Sequence, residues 1–320
     1  MFLDSPDGLS WHRQEGAIAT GYPHRIAAGP LGVVAVGTIG DRPASWSSAD
    51  GLSWTASRDA LPASDTGTDS VMVTDVIAAG DGWLAVGRED PACNVNCGVA
   101  PVRSLVWTSR DGLRWTGVPR QRSLEGAGMN GVAAGGPGFV AVGAAKGRAA
   151  VWTSPDGSAW TAVPDDAVFR PQPGSSQEAW VAAIGVGAGH GVIVAVGWAY
   201  GVGPGGEPAV LAWWSPDGRT WTSAVVDQGA GGQVFSMAAT PGGFLATGPS
   251  GEPSCLGGIW ATTNGRAWRC VASDSALSGF GPYAAAGSPT TEIAVGLTSA
   301  GSGESSPNGL PGAVWWRPVP

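Results

Sequence analysis

Short apolar runs with a central alanine and a closing glycine return along the whole chain: Val34-Ala35-Val36-Gly37, Leu84-Ala85-Val86-Gly87, Val140 to Gly143, Val194 to Gly197, Leu245-Ala246-Thr247-Gly248 and Ile293 to Gly296. Runs this short, bounded by turn residues and lacking helical periodicity, read as strands buried on both faces between neighbouring sheets. Residues 131 to 163 give the cleanest copy of the surrounding pattern. Gly131 to Ala134 is a first strand, Gly135 to Gly138 a tight turn, and Phe139 to Gly143 a second strand. Ala150 to Thr153 is a third, and Trp160 to Val163 a fourth.

Between the third and fourth strands stands a phrase that recurs six times: Ser or Thr, any residue, Asp or Asn, Gly, two residues, Trp. Its acidic or amide members are Asp7, Asp50, Asp111, Asp156, Asp217 and Asn264. A second-position Pro presets φ, Asp accepts turn N–H groups, and Gly takes the left-handed conformation that closes a hairpin. The motif tryptophans are spaced 43, 61, 45, 61 and 47 residues apart, from Trp11 to Trp268. Counting across the termini continues the alternation of short and long, which argues for a ring of six units. The fold expected is therefore all-β, a six-bladed β-propeller of four-stranded antiparallel blades closed by the N- and C-terminal strands.

One propeller domain over residues 1–320 is expected, with repeats near 26–57, 76–118, 131–163, 181–225, 236–271 and 283–316, the last closed by 1–13. Residues 9 to 13 would supply the missing fourth strand of the last blade. Phe2-Leu3-Asp4 and Val314-Trp315-Trp316 compete for its third strand. A second tryptophan recurs two residues before the turn Ser or Thr, at Trp46, Trp107, Trp152, Trp213 and Trp260, and reads with the motif tryptophans as packing between blades.

A formal net charge of −8 with a single lysine, Lys146, argues against nucleic acid or an anionic membrane as partner. No apolar stretch reaches membrane-spanning length, and a monomer without membrane insertion is expected. Cys93 and Cys97 share one loop, and Cys255 and Cys270 flank the last hairpin, so local disulfides and an extracellular or cell-envelope location fit, with a cytoplasmic one left open. No Cys-x-x-Cys pair occurs and His12, His24 and His190 are the only histidines, so neither a metal nor a cofactor is expected.

The turn phrase resembles the Asp-box of the bacterial neuraminidase repeat, found in sialidases and other propellers, in a form lacking the residue between Asp and Gly. In that family the box marks the fold and lies away from the active site. The resemblance implies, for a sialidase, three arginines on a carboxylate, a Tyr nucleophile paired with Glu, and an Asp acid/base. Arg25, in Tyr22-Pro23-His24-Arg25-Ile26, matches the early Arg-Ile element, and Tyr283 lies on the first strand of the last repeat. Arg219, Arg266 and Arg269 fall in short turns or outer strands, so the arginine triad is incomplete.

Strand alternation puts the loops after strands two and four on one face, and that set holds the long insertions at residues 88–103, 164–178, 198–208, 249–257 and 297–312. Aligning first strands on Ile26, Ile77, Val132, Ala182, Met237 and Ala284 places His24, Asp75, Asn130, Trp180, Phe235 and Pro282 together two residues earlier, with Arg25 and Tyr283 adjacent. Trp180, Trp198 and Tyr200 fall off the repeated core positions and form a candidate aromatic platform. Glu89, Asp90, Glu178, Glu207 and Glu252 read as solvated acids around the same face. The ligand-binding candidates are thus His24, Arg25, Asp75, Asn130, Trp180, Trp198, Tyr200, Phe235 and Tyr283, and the catalytic ones Asp75, Glu178, Tyr283 and Arg25. The function expected is non-catalytic recognition of a glycan or protein partner. A glycoside hydrolase of sialidase-like fold and a protein-assembly scaffold are the alternatives.

Overall fold

The computed structural model describes residues 3–5, 10–13, 21–40, 42–58, 60–62, 70–90, 103–164, 167–170, 179–201, 208–227, 232–251, 253–271, 279–298 and 312–319. It is all-β, and its sheets are the blades of a six-bladed β-propeller. The chain divides into two compact units, Met1–Lys146 with Val151–Val163 and Gly147–Ala150 with Pro164–Pro320.

In the first unit β1 (Leu3–Asp4) pairs with β2 (His12–Arg13). Sheet one follows as β3 (Tyr22–Gly29), β4 (Gly32–Ile39), β5 (Arg42–Ser48) and β6 (Thr55–Arg58), and sheet two as β7 (Ser70–Ala79), β8 (Gly82–Asp90), β9 (Arg103–Ser109) and β10 (Thr116–Gly117). Sheet three is β11 (Ala127–Gly135), β12 (Gly138–Ala145), β13 (Arg148–Ser154) and β14 (Thr161–Ala162). The second unit holds sheet four, β15 (Trp180–Gly189), β16 (Val192–Tyr200), β17 (Ala209–Ser215) and β18 (Thr222–Asp227). Sheet five is β19 (Ser236–Thr240), β20 (Gly243–Thr247), β21 (Ile259–Thr262) and β22 (Arg269–Cys270), and sheet six β23 (Phe280–Gly287), β24 (Thr291–Thr298) and β25 (Gly312–Pro318). All neighbours are antiparallel and sequential. Val314 to Trp316 takes the third-strand place of sheet six within β25. Leu3–Asp4 instead faces His12–Arg13 in the register of a third-and-fourth-strand hairpin, Asp4 opposite His12 as Thr153 is opposite Thr161.

The recurrent turn closes on itself. In sheets one to five the Ser or Thr hydroxyl accepts the glycine N–H at 2.8–2.9 Å. In sheets one to four the Asp Oδ1 accepts the next two N–H groups at 2.7–3.1 Å. The tryptophan indole then donates to the glycine carbonyl at 2.9–3.2 Å. The glycine sits at φ +71° to +80°, a region costly for other residues. Amide donors hold Asp50 and Asp156 down to about 2. Asp7 lies outside the described residues, and Asn264 keeps a single amide bond, from Arg266.

The third-strand tryptophans are the largest fully buried side chains. Trp107, Trp152 and Trp213 each donate the indole N–H to a carbonyl of the preceding linker, Pro62, Ser123 and Val168, at 2.7–3.1 Å. A buried ring is thus anchored at its polar edge, as buried Trp requires.

The glycine that ends each second strand has a different reason. The first strands carry an extra residue opposite it, a β-bulge at His24, Thr74, Asn130, Ile184 and Tyr283. In sheet five the bonds from Gln233 and Phe235 to the second strand leave Phe235 in the same place. The bulge pushes a carbonyl against the glycine. A Cβ on Gly37, Gly87, Gly143, Gly197, Gly248 or Gly296 would lie 1.9–2.2 Å from that oxygen.

Candidate functional site

The bulges aim side chains from one sheet to the next, and they locate the candidate residues. In the first unit the His24 ring bonds to the Val73 carbonyl of sheet two. Partial burial, then the Arg25 charge, hold its pKa below the usual imidazole value, although that bond pulls the other way. Thr74 donates to the Met129 carbonyl of sheet three at 2.8 Å. Asp75, the next residue, accepts from Val76 N–H and from Val132 N–H of sheet three, both at 2.9 Å. Burial pushes its carboxyl up to about 6 against those two amides and the Arg25 charge. Each Asp75 oxygen is therefore engaged by a backbone amide, and the carboxylate clips two sheets together.

Asn130 accepts from Arg88 at 2.9 Å, and Arg88 also holds Asp90 at 3.0 Å. Glu89 departs from the solvated acid expected of it. It is 1% exposed, pairs with Arg103, and leaves Oε1 without a hydrogen bond. The cause is its register: two residues past the bulge-facing glycine, it occupies the place of Ile39 and Ala199, both buried. Glu178, Glu207, Glu252, Cys93 and Cys97 lie outside the described residues.

The second unit is aromatic where the first is polar. Trp180 opens β15 and faces Tyr200, which closes β16, while Trp198 faces Ala182 one step along. Trp180 and Trp198 are thus diagonal neighbours on one sheet face, their rings 4.6 Å apart and edge to face at 62°. Trp198 packs against a core of Val234, Cys255 and Trp260, whereas Tyr200 is 45% exposed. The bulge residues Phe235 and Tyr283 stack at 5.3 Å and 13°, and Tyr283 stays half exposed. The Cys255–Cys270 disulfide ties the loop after β20 to the outer strand of the same sheet.

No protein-family model and no curated protein matches the chain. Among solved structures it is similar to one described as YCF48 bound to D1 peptide, at 13% identity over 93% of this chain and 84% of that one, with a TM-score of 0.50. It is similar also to the phage phi92 endosialidase, at 9% identity over 94% of this chain and 67% of that one, with a TM-score of 0.55. At such identities the likeness is one of fold.

Register corrects the alignment of first strands. His24, Asn130 and Phe235 are equivalent, but their counterparts are Thr74, Ile184 and Tyr283, whereas Asp75, Trp180 and Pro282 stand one, four and one residue away. Arg25 and Asp75 belong to the first unit and Tyr283 to the second. Thr74 escaped notice because an unremarkable Thr in an apolar strand carries no mark of its own. The glycine opposite each bulge is the signal that would have found it.

Proposed function

We propose that this chain is a recognition propeller that binds a glycan through the aromatic patch of Trp180, Trp198 and Tyr200 on its long-loop face. The observation that carries this reading is the edge-to-face Trp180 and Trp198 pair beside exposed Tyr200. Trp198 is fixed by core packing, so a ring is held ready at little entropic cost, and aromatic faces stack on the apolar faces of sugar rings. An extracellular or cell-envelope location accompanies it, supported by the Cys255–Cys270 disulfide. Among the described residues no helix is long and apolar enough to cross a membrane.

A glycoside hydrolase is the second reading, favoured by the raised pKa of Asp75. Its two amide bonds weigh against that, because they tie both oxygens to backbone of two strands and halve what the carboxylate can still accept. Fold cannot choose: the similar structures are a peptide complex and an endosialidase. A glycan array run with the wild type and with Trp180→Ala/Tyr200→Ala tests the proposal. Binding by the wild type that drops about tenfold in the variant is expected, since two lost aromatic contacts at about 0.5–1.5 kcal/mol each remove about 1–3 kcal/mol. An array without signal would overturn it in favour of a protein-assembly scaffold. Turnover of a bound glycan that Asp75→Asn abolishes would establish the hydrolase.

A further inference from the structure

At the other end of the strands, sheet six breaks a rule that the other five keep. The residue four past each bulge faces the first residue of the second strand's core, which is Val33, Trp83, Phe139, Ile193 or Phe244 in sheets one to five. Four of these stand directly opposite the turn Ser or Thr, at Ser48, Ser109, Ser215 and Thr262. In sheet six the same cross-strand pair is Glu292 and Arg317.

Glu292 is 1% exposed, and both its oxygens are taken, one by the Thr240 hydroxyl and the other by Arg317. Burying an ion pair where the other sheets set an apolar side chain against a hydroxyl is weak evidence for stability. The arrangement does something else: it fixes the Arg317 guanidinium by one edge, with its plane near Trp315, at 5.6 Å from the ring centre. Beside it opens a cavity of about 200 Å³ lined by Phe244, Trp268, Arg269, Glu292 and Arg317 among others. Arg269 makes no ion pair among the described residues. Two guanidinium groups, of Arg317 and Arg269, and the single carboxylate of Glu292 therefore line one cavity with the rings of Phe244 and Trp268.

We propose that this cavity, at the turn end of sheets five and six, binds a small organic carboxylate through Arg317 and Arg269. A guanidinium presents planar, paired donors that match a carboxylate, and Arg317 keeps donors beyond those spent on Glu292. Glu292, by holding Arg317, is a positioning residue. The volume has room for a few water-sized groups, which limits the ligand to a short acid.

Fluorine NMR of trifluoroacetate at constant ionic strength tests the site. Protein-dependent broadening that acetate reverses is expected in the wild type, and Arg269→Ala, at an exposed outer-strand position, should weaken the affinity about tenfold or more, as expected for a lost hydrogen bond to a charged group. Arg114→Ala, a similarly exposed change elsewhere, should leave the broadening intact. Absence of broadening, equal broadening in wild type and Arg269→Ala, or stronger displacement by inorganic phosphate than by acetate would each overturn the proposal.

Discussion

The two units use one backbone device for opposite ends. In sheets one to three the bulge presents His24, Thr74 and Asn130, and each described polar group there is engaged with a neighbouring strand or side chain. In sheets four to six the same position presents Ile184, Phe235 and Tyr283. Polar groups that bond across sheets are consumed by the scaffold, whereas aromatic faces hold a strand by packing and still offer a surface. The difference teaches that one backbone device can spend its side chain on the scaffold, as in the first unit, or leave an aromatic face exposed, as at Tyr283 in the second.

Three perturbations break or sharpen that contrast. The largest concerns what the units share: Gly87→Ala in one and Gly197→Ala in the other drive a Cβ into a carbonyl near 2 Å. Both should lose about 4 kcal/mol or fail to fold, by urea unfolding, because backbone cannot yield as a side chain can. A mild effect in either would show that its bulge is dispensable. Next, Asp75→Ala orphans two amides and should cost about 2–4 kcal/mol, while Trp180→Ala loses a ring contact worth about 0.5–1.5 kcal/mol and part of one ring's burial and should cost less than Asp75→Ala. Reversal of that order would dissolve the division between scaffold and surface. The third effect is in pH. Asp75 titrates near 6 in the folded protein and near 4 unfolded, so the folded state holds the extra proton and stability falls as pH rises through that window. The unfolding midpoint should decline from pH 4 to pH 6 more in the wild type than in Asp75→Asn.

Much of this was legible before any coordinates. Repetition marks strands and turns redundantly, so six copies of one phrase outweigh any ambiguity in one of them. The aromatic patch was legible for the opposite reason, since Trp180, Trp198 and Tyr200 violate the repeat. What stayed hidden is what adds a residue without changing composition. A bulge shifts register by one and leaves no motif, so alignment by spacing sets Asp75 and Pro282 one place off and gives Thr74 no mark. Burial of Glu89 and Glu292 was hidden too, because acids at core positions look like surface acids until pairing places them.

The self-closing turn has a temporal consequence. Its donors and acceptors lie within seven residues, from the Ser or Thr to the Trp, so a third-and-fourth-strand hairpin can form in microseconds without waiting for its blade. First strands, which need partners from the next sheet such as Met129 and Val132, must wait. The chain should therefore form its third-and-fourth-strand hairpins early and complete last the first strands with their bulges.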